Sequence, residues 1–509
     1  MTVSVGNNKS SVNQVQNATN ALPSKNGSPW MPILVQKWRD KLQPFEQMLL
    51  YGLSLIMVKG AAFITLPLMT HFLSPADIGQ LELLATTTVF FSLLVGLAMH
   101  ENLYRFIATQ KQPQLQKQLV SKLYYSTLLL SFGLCVLFGA MAFAFHSWSS
   151  AIISPVQQGL LGWVVMYESA LAISFAWLRL HNKAWLFFKI SIVTTMLQVC
   201  LVVTSLNWQP DFTTIFAIGV LCSTCQFVWL HCHNRFTLQF LSYQQLLKML
   251  KYSAPLMLSA LIAFGLNGGE RWILAVQFDL TTLGVYAIAA KFALALGIAL
   301  QPFHMWWMPK RFESWRTLGD SVTASKTQLG ILLACVLSLL VSGFSQLFIL
   351  YALPSDYQMA ASLTAIALIA MLFKELTELT NIGILKTKQT QTLLLINGLI
   401  TGITFALFLM LSLDSIWLMV LLLASSQMAR FLVVTLCSQR SAKLPYQVAP
   451  LAFIVLATTA SLLANAYMTN PVWMLPITIS AFIFIATTAY YGRILPYYKP
   501  AAHSIRSKT

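Results

Sequence analysis

The connections of this chain alternate in charge. About fourteen apolar stretches, each roughly long enough to cross a bilayer, are joined by segments that are by turns rich in Lys and Arg and nearly free of them. One set of segments (1–49, 105–122, 179–189, 235–251, 310–326, 386–388, 440–443 and 493–508) holds 27 of the 32 basic residues. The other set holds only Arg271, while Lys59, Lys291, Lys374 and Arg430 lie inside apolar stretches. Basic connections stay on the cytoplasmic side, so the pattern sets both the number of crossings and their direction. It predicts an all-α polytopic membrane protein of about 14 transmembrane helices with both termini cytoplasmic.

Composition agrees. Hydrophobic residues make up 57% of the chain and charged ones 9%, outside the range of a soluble globular domain. A net charge of +17 would suggest nucleic acid in a soluble protein. Here the basic residues are spread over separate cytoplasmic segments, so topology and anionic headgroups account for them and no nucleic-acid partner is expected. No outward connection holds a pair of the seven cysteines, which argues against a disulfide framework. Cys222 and Cys225, followed by His231, Cys232 and His233, have metal-like spacing. At lipid depth, core cysteines with interfacial histidines explain them better, and no metal is expected. There is no Walker-type loop or dinucleotide fingerprint, so no cofactor and no enzymatic activity are expected.

The spans are placed at 50–72, 81–103, 123–145, 152–178, 185–206, 212–232, 253–275, 282–304, 328–351, 358–384, 390–412, 415–437, 447–467 and 472–492. Residues 1–29, rich in Ser, Asn, Gln and Thr, read as a disordered cytosolic tail. In 30–49, Trp30, Ile33, Leu34, Trp38, Leu42 and Phe45 are interleaved with Lys37, Arg39 and Lys41, the pattern of a helix lying in the membrane interface. Ser74-Pro75-Ala76-Asp77 has the form of an N-cap with Pro at the first helical position. Gly79 and Arg105 bracket the second span, and Gly284 and Arg311 bracket the eighth with nearly the same spacing. That similarity predicts two six-helix lobes, 50–235 and 252–438, joined by a linker at 236–251 and related as parallel repeats, a common plan for transporters. Two extra helices (447–492) and a cytosolic tail (493–509) follow.

Ionisable residues at membrane depth are functional candidates because each needs a partner or a wet cavity. Lys59, Arg179, Lys291, Lys374 and Arg430 are the cations, and Glu168, Glu375 and Glu378 the carboxylates. Lys374 and Glu378 stand at i,i+4 and can neutralise each other on one helix face. Lys59, Lys291 and Arg430 have no acid close in sequence, which favours an anion in a cavity, although a carboxylate from another helix would also satisfy them. Glu270 and Arg271, near the outer end of the seventh span, suit a gate that pairs with the facing half; a solvated helix end is the alternative.

Two stretches carry a family resemblance. The first is Leu50 to Phe106, with Leu73-Ser74-Pro75, Gly79 and Arg105. The second is Leu246 to Phe312, with Ala254-Pro255-Leu256, Asn267-x-x-Glu270-Arg271, Gly284-Val285-Tyr286, Lys291 and Trp307-x-Pro309. In these the chain resembles the polysaccharide flippases, the O-antigen and capsule lipid-oligosaccharide transporters, within the superfamily that also holds multidrug and toxin extruders and lipid II flippases. The family usually has Asp where this chain has Glu270.

The resemblance implies two lobes around a V-shaped cavity in an inner membrane, and a polyprenyl-pyrophosphate-linked oligosaccharide moved from the cytoplasmic to the periplasmic leaflet. Lys59, Arg179, Lys291, Lys374 and Arg430 would then hold the pyrophosphate. Glu168, Glu375 and Glu378 would carry a coupling H+ or Na+ or pair internally, and Glu270 and Arg271 would form the outer gate. Membrane lipids and the polysaccharide polymerase machinery are the expected partners. A drug or organic-cation antiporter of the same fold is the alternative, and a membrane glycan polymerase is disfavoured by the short outward connections. Alkaline phosphatase fused after Gln209 is expected to be active and fused after Gln112 inactive; the reverse pattern would invert the topology.

Overall fold

The computed structural model describes residues 31–144, 153–387, 389–411, 415–468, 471–492 and 494, without the side chains of 31–49, 142–144 and 471–473. Expectations for the tail 1–29, for the amphipathic side chains of 30–49 and for nearly all of 493–509 therefore fall outside the described residues. The chain divides into two units, Met1–Leu50 and Tyr51–Thr509. Residues 31–50 of the first are helical.

The described residues contain no strand. They form fourteen helices long and apolar enough to cross a membrane, matching the number expected: span 1 (Leu50–Phe72), span 2 (Pro75–Gly96), span 3 (Pro113–Met141), span 4 (Pro155–Leu180), span 5 (Ala184–Trp208), span 6 (Phe212–Asn234), span 7 (Tyr243–Gln277), span 8 (Leu280–Trp307), span 9 (Arg311–Ala352), span 10 (Ser355–Lys386), span 11 (Thr390–Met410), span 12 (Ile416–Ser441), span 13 (Val448–Tyr467) and span 14 (Met474–Tyr491). Ile64, Leu399, Leu409 and many other large apolar side chains remain exposed. A surface of this kind is stable in acyl chains and not in water.

Several boundaries differ from the sequence-based placement: spans 3 and 7 begin at Pro113 and Tyr243, not 123 and 253, and spans 2 and 9 differ as well. Span 2 starts at Pro75, six residues earlier than expected. Ser74 caps it: its hydroxyl accepts from the Asp77 amide (3.2 Å), and the Asp77 carboxylate accepts from the Ser74 amide (3.0 Å). It also stops earlier, because Leu97 and Ala98 both take left-handed φ angles of 48°, and a one-turn π-helix follows at Leu103–Ile107. Span 9 begins at Arg311, not 328. Its polar first part turns at Gly319 (φ 85°) before the apolar run, a conformation that glycine adopts without a Cβ penalty.

Buried apolar side chains form one large core, made chiefly by spans 8, 9, 10, 12 and 13 with the end of span 1 and the start of span 2. Two smaller cores are made by spans 2 to 6 and the start of span 7. The first five residues of spans 2 and 8 cross with almost no clearance. A Cβ at Gly79 would overlap the Leu280 carbonyl, and one at Gly284 would overlap the Pro75 carbonyl. The relation is reciprocal, first helical residue against fifth in both directions, and only glycine at both positions lets the backbones approach this far. The Tyr357 hydroxyl donates to the Leu73 carbonyl beside this crossing (2.8 Å).

Gly79→Ala and Gly284→Ala are each expected to destabilise the protein by ~1–3 kcal/mol, read as a lower unfolding midpoint in detergent. Gly343→Ala, where a Cβ meets nothing within 4 Å, should leave it almost unchanged. Asp279 caps span 8 by accepting from the Thr282 amide (2.6 Å), and the Thr282 amide and hydroxyl hold its carboxyl below the ordinary range. Its contribution is therefore full above the usual carboxylate pKa and lost as pH falls through the depressed value. Asp279→Ala should cost ~1 kcal/mol at neutral pH and less in acid.

Candidate functional site

Spans 2, 7 and 8 bring a chain of opposite charges together near the face opposite the basic connections. Glu82 lies seven residues into span 2, about 10 Å from its start at 1.5 Å per residue. Its carboxylate is 2.8 Å from Arg271 Nε and 3.3 Å from Lys291 Nζ. Arg271 Nη1 is also 3.3 Å from Glu270 Oε1, and that oxygen accepts from the Tyr286 hydroxyl (3.2 Å). Glu270 and Arg271 are 4% and 8% exposed, so neither is a solvated helix end. A one-turn π-helix at Gly265–Gly269 immediately precedes them; such widened turns recur where a helix must re-aim side chains. One turn further along span 2, Thr87 accepts from the Trp272 indole (3.1 Å). With the glycine crossing, these contacts join span 2 to spans 7, 8 and 10 on this face.

A second polar cluster lies among spans 8 to 12. Arg430 donates to Asn397 (2.8 Å), Gln427 (3.4 Å) and Glu378 (3.4 Å). Asn381 donates to Glu378 (3.1 Å), and Arg311 donates to Asn381 (3.1 Å). His304 Nε2 is 3.5 Å from Glu375. The i,i+4 pair on span 10 does not form: Glu378 is taken by Arg430 from span 12, and Lys374 makes no hydrogen bond or ion pair among the described residues. Lys374 instead lines a cavity of about 120 Å³ shared with Glu270, Arg271, Tyr286 and Gln427.

Two larger cavities lie on either side of Thr88. One, about 470 Å³, is apolar apart from Glu82, Lys291 and a few hydroxyl and amide groups between spans 1, 2, 5 and 6. The other, about 880 Å³, lies between spans 2, 4 and 7 towards the basic-connection face. Its walls carry Glu101, Glu168, His100, Tyr252, Ser92 and Ser259. The left-handed pair Leu97-Ala98 makes this wall. It turns the chain so that Met99 and Leu103 are buried in the core while His100 and Glu101 reach the cavity 3.3 Å apart. Burial holds His100 below its ordinary pKa against the pull of Glu101, with Arg179 adding to the effect, so the imidazole is neutral at pH 7.

The candidate residues are thus dispersed. Arg271 and Lys374 line the small cavity, Lys291 the apolar one and Glu168 the large one. Arg430 is buried in its own network, and Lys59 and Arg179 are exposed. Lys59, Lys291 and Arg430 do not meet in any one of these cavities. Sequence reasoning missed Glu82, His100 and Glu101. Placing span 2 at 81–103 put Glu82 at a helix end and His100 and Glu101 inside it; the Ser74–Asp77 cap was the available signal for the earlier start. Among the described residues no three His, Cys, Asp or Glu side chains cluster as metal ligands. His231 instead hydrogen-bonds to the Tyr124 hydroxyl (3.0 Å).

The fold and these buried ionic networks define a polytopic helical membrane protein. The chain is similar to a solved structure titled lipid II flippase MurJ, inward closed conformation, at 12% identity over 88% of this chain and 99% of that one, with a TM-score of 0.65. At that identity the likeness is one of fold. A crystal structure of MATE in complex with Br-NRF aligns at 12% identity over 77% of this chain and 92% of that one, with a TM-score of 0.31, too low to bear on the fold. No curated protein sequence matches. Residues 46–315, more than half of the chain, match the family described as polysaccharide biosynthesis protein, and the chain belongs to that family.

Removing one member of a buried ion pair strands the other, at about 3–5 kcal/mol. Glu82→Ala should lose about that much unfolding free energy, and Arg271→Met, which strands two carboxylates, at least as much. The double variant should lose clearly less than the sum. Full additivity would mean that Glu82 and Arg271 are not coupled.

Proposed function

We propose that this chain is a flippase that moves a polyprenyl-pyrophosphate-linked oligosaccharide from the cytoplasmic to the periplasmic leaflet of an inner membrane for surface polysaccharide synthesis. The observation that carries this reading is one-sidedness in a member of a polysaccharide biosynthesis family. A large cavity with carboxylates and hydroxyls set in a mainly apolar wall lies towards the basic-connection face, which is the cytoplasmic one by the charge rule. The opposite face is tied shut by the glycine crossing and by Glu82, Arg271 and Tyr357. This is the arrangement of a carrier loading from the cytoplasm, and rocking of the two sets of helices would expose the same cavity on the other side.

Coupling to H+ or Na+ fits the same ties. Arg271 and Lys291 are held by Glu82 in this state, and a proton or cation on that carboxylate would release Lys291 and leave Arg271 with Glu270 alone, so that both could meet a diphosphate. Glu168, Glu375 and Glu378 remain candidate coupling or pairing carboxylates, and Lys59, Arg179 and Lys374 candidate phosphate contacts. One observation favours the second reading, an organic-cation antiporter: the large cavity has two carboxylates and a tyrosine on its walls and no Lys or Arg.

The test is a strain lacking the chain, complemented in trans. Wild type should restore surface polysaccharide. Lys291→Ala and Arg179→Ala should each cut it at least about tenfold, about 1.4 kcal/mol of effect, at unchanged membrane abundance and unchanged drug susceptibility. If drug susceptibility moves and polysaccharide does not, the antiporter reading stands.

A further inference from the structure

We propose that the 880 Å³ cavity is the glycan chamber of the transported lipid, and that it accepts neutral and amino-bearing sugars while excluding acidic ones. This rests on the flippase reading. The charge of the cavity is divided. Its interior walls present Glu101 and Glu168 with no basic side chain except the neutral His100. Glu168 makes no hydrogen bond or ion pair among the described residues, so its acceptor oxygens are open to a ligand.

The cations stand at the edge. The Arg105 guanidinium lies 6.0 Å from the ring centroid of Tyr252, a wall residue. Lys248 Nζ lies 5.5 Å from the Phe106 ring, which packs edge-on against Tyr252. Arg179 stands in the last turn of span 4, the helix whose Glu168 and Ser169 line the cavity. All three are exposed, at the basic-connection ends of their helices. A diphosphate is positioned by such a rim, next to the headgroups where a polyprenyl carrier lies.

The sugars attached to that diphosphate then project inward. Ionised carboxylates only accept hydrogen bonds. Sugar hydroxyls donate to them, and an ammonium group both donates and neutralises. A uronate offers neither at its carboxylate and meets like charge in a confined space, an arrangement that suppresses wrong partners. The volume lies near the upper end of the range for ligand pockets, room for more than one ring. Tyr252 supplies an aromatic face, and Ser92 and Ser259 supply hydroxyls that serve any sugar.

The test uses three probes with one common diphosphate, UDP-glucosamine, UDP-glucose and UDP-glucuronate, with UDP as baseline, titrated against the purified full-length protein in nanodiscs. UDP-glucosamine and UDP-glucose should bind at least as tightly as UDP, and UDP-glucuronate at least about tenfold more weakly than UDP-glucose. Glu101→Gln/Glu168→Gln should bring UDP-glucuronate to within about threefold of UDP-glucose. Arg105→Ala/Arg179→Ala/Lys248→Ala should weaken all four probes alike. Unfolding midpoints of both variants confirm that they fold.

Equal binding of UDP-glucose and UDP-glucuronate, a ratio unmoved by the glutamine variant, or no binding by any probe would overturn the inference. Binding of an organic cation such as tetraphenylphosphonium without any sugar nucleotide would also overturn it, in favour of the antiporter. The two proposals fail separately. If surface polysaccharide depends on the chain but the probes are not discriminated, only the glycan-chamber assignment falls. If polysaccharide is unaffected by loss of the chain, the flippase reading falls whatever the probes do.

Discussion

A charge inside a bilayer needs a counter-charge or a wet cavity, and the join of span 2 with spans 7 and 8 is organised around the first of these. Glu82 on span 2 is the only carboxylate within ion-pair distance of both Arg271 on span 7 and Lys291 on span 8 among the described residues. Because its partners come from spans 7 and 8, the electrostatic requirement is also a mechanical one: the ion pairs of Glu82 hold span 2 against those helices. The glycines at 79 and 284 make this possible by letting the helix starts touch, and Tyr286 fixes the second carboxylate, Glu270, against Arg271. Geometry and charge reinforce each other at one face only.

Much of the fold was legible in the sequence, and for a physical reason. Hydrocarbon forces every backbone group into helices, so apolar length and loop charge determine the number of spans with little competition from tertiary context. The Ser74–Asp77 cap was equally legible, since a capping box depends on four consecutive residues. What escaped was local backbone behaviour without a composition cue. Nothing in Gly96-Leu97-Ala98-Met99 announces two left-handed residues, because Leu and Ala adopt that conformation only when surrounding packing over-determines it. The end of span 2 was therefore extended through the segment that in fact forms the cavity wall.

Partner assignment was the other gap. Spacing along one helix makes Lys374 and Glu378 natural partners, yet Arg430 from span 12 takes the carboxylate, with Asn381 on its second oxygen. Arg430 itself is buried, and a guanidinium, more weakly hydrated than an ammonium and with donors to spare for Asn397 and Gln427, suits that position. Lys374 is left beside the small cavity that holds Glu270. An isolated sequence gives the cost of each buried charge but not which helix supplies its relief. Lys59 illustrates the limit: it sits at mid-span, and only the packing places it on an exposed face.

The distribution of pairs bears on how such a protein would move its cargo. A ligand shifts a two-state equilibrium only by its differential affinity for the two states. In the closed arrangement Arg271 and Lys291 are already satisfied by Glu82, so an anion gains little from them. On the flippase reading, separation of spans 2 and 8 would leave Lys291 without its partner and Arg271 with Glu270 alone, in a medium where such a loss is severe. A diphosphate that replaces Glu82 there binds the open form far better than the closed one, while the carboxylate must be neutralised by a proton or a metal ion. On the reading proposed above, substrate and coupling ion therefore compete for opposite ends of one ion pair, and each makes room for the other.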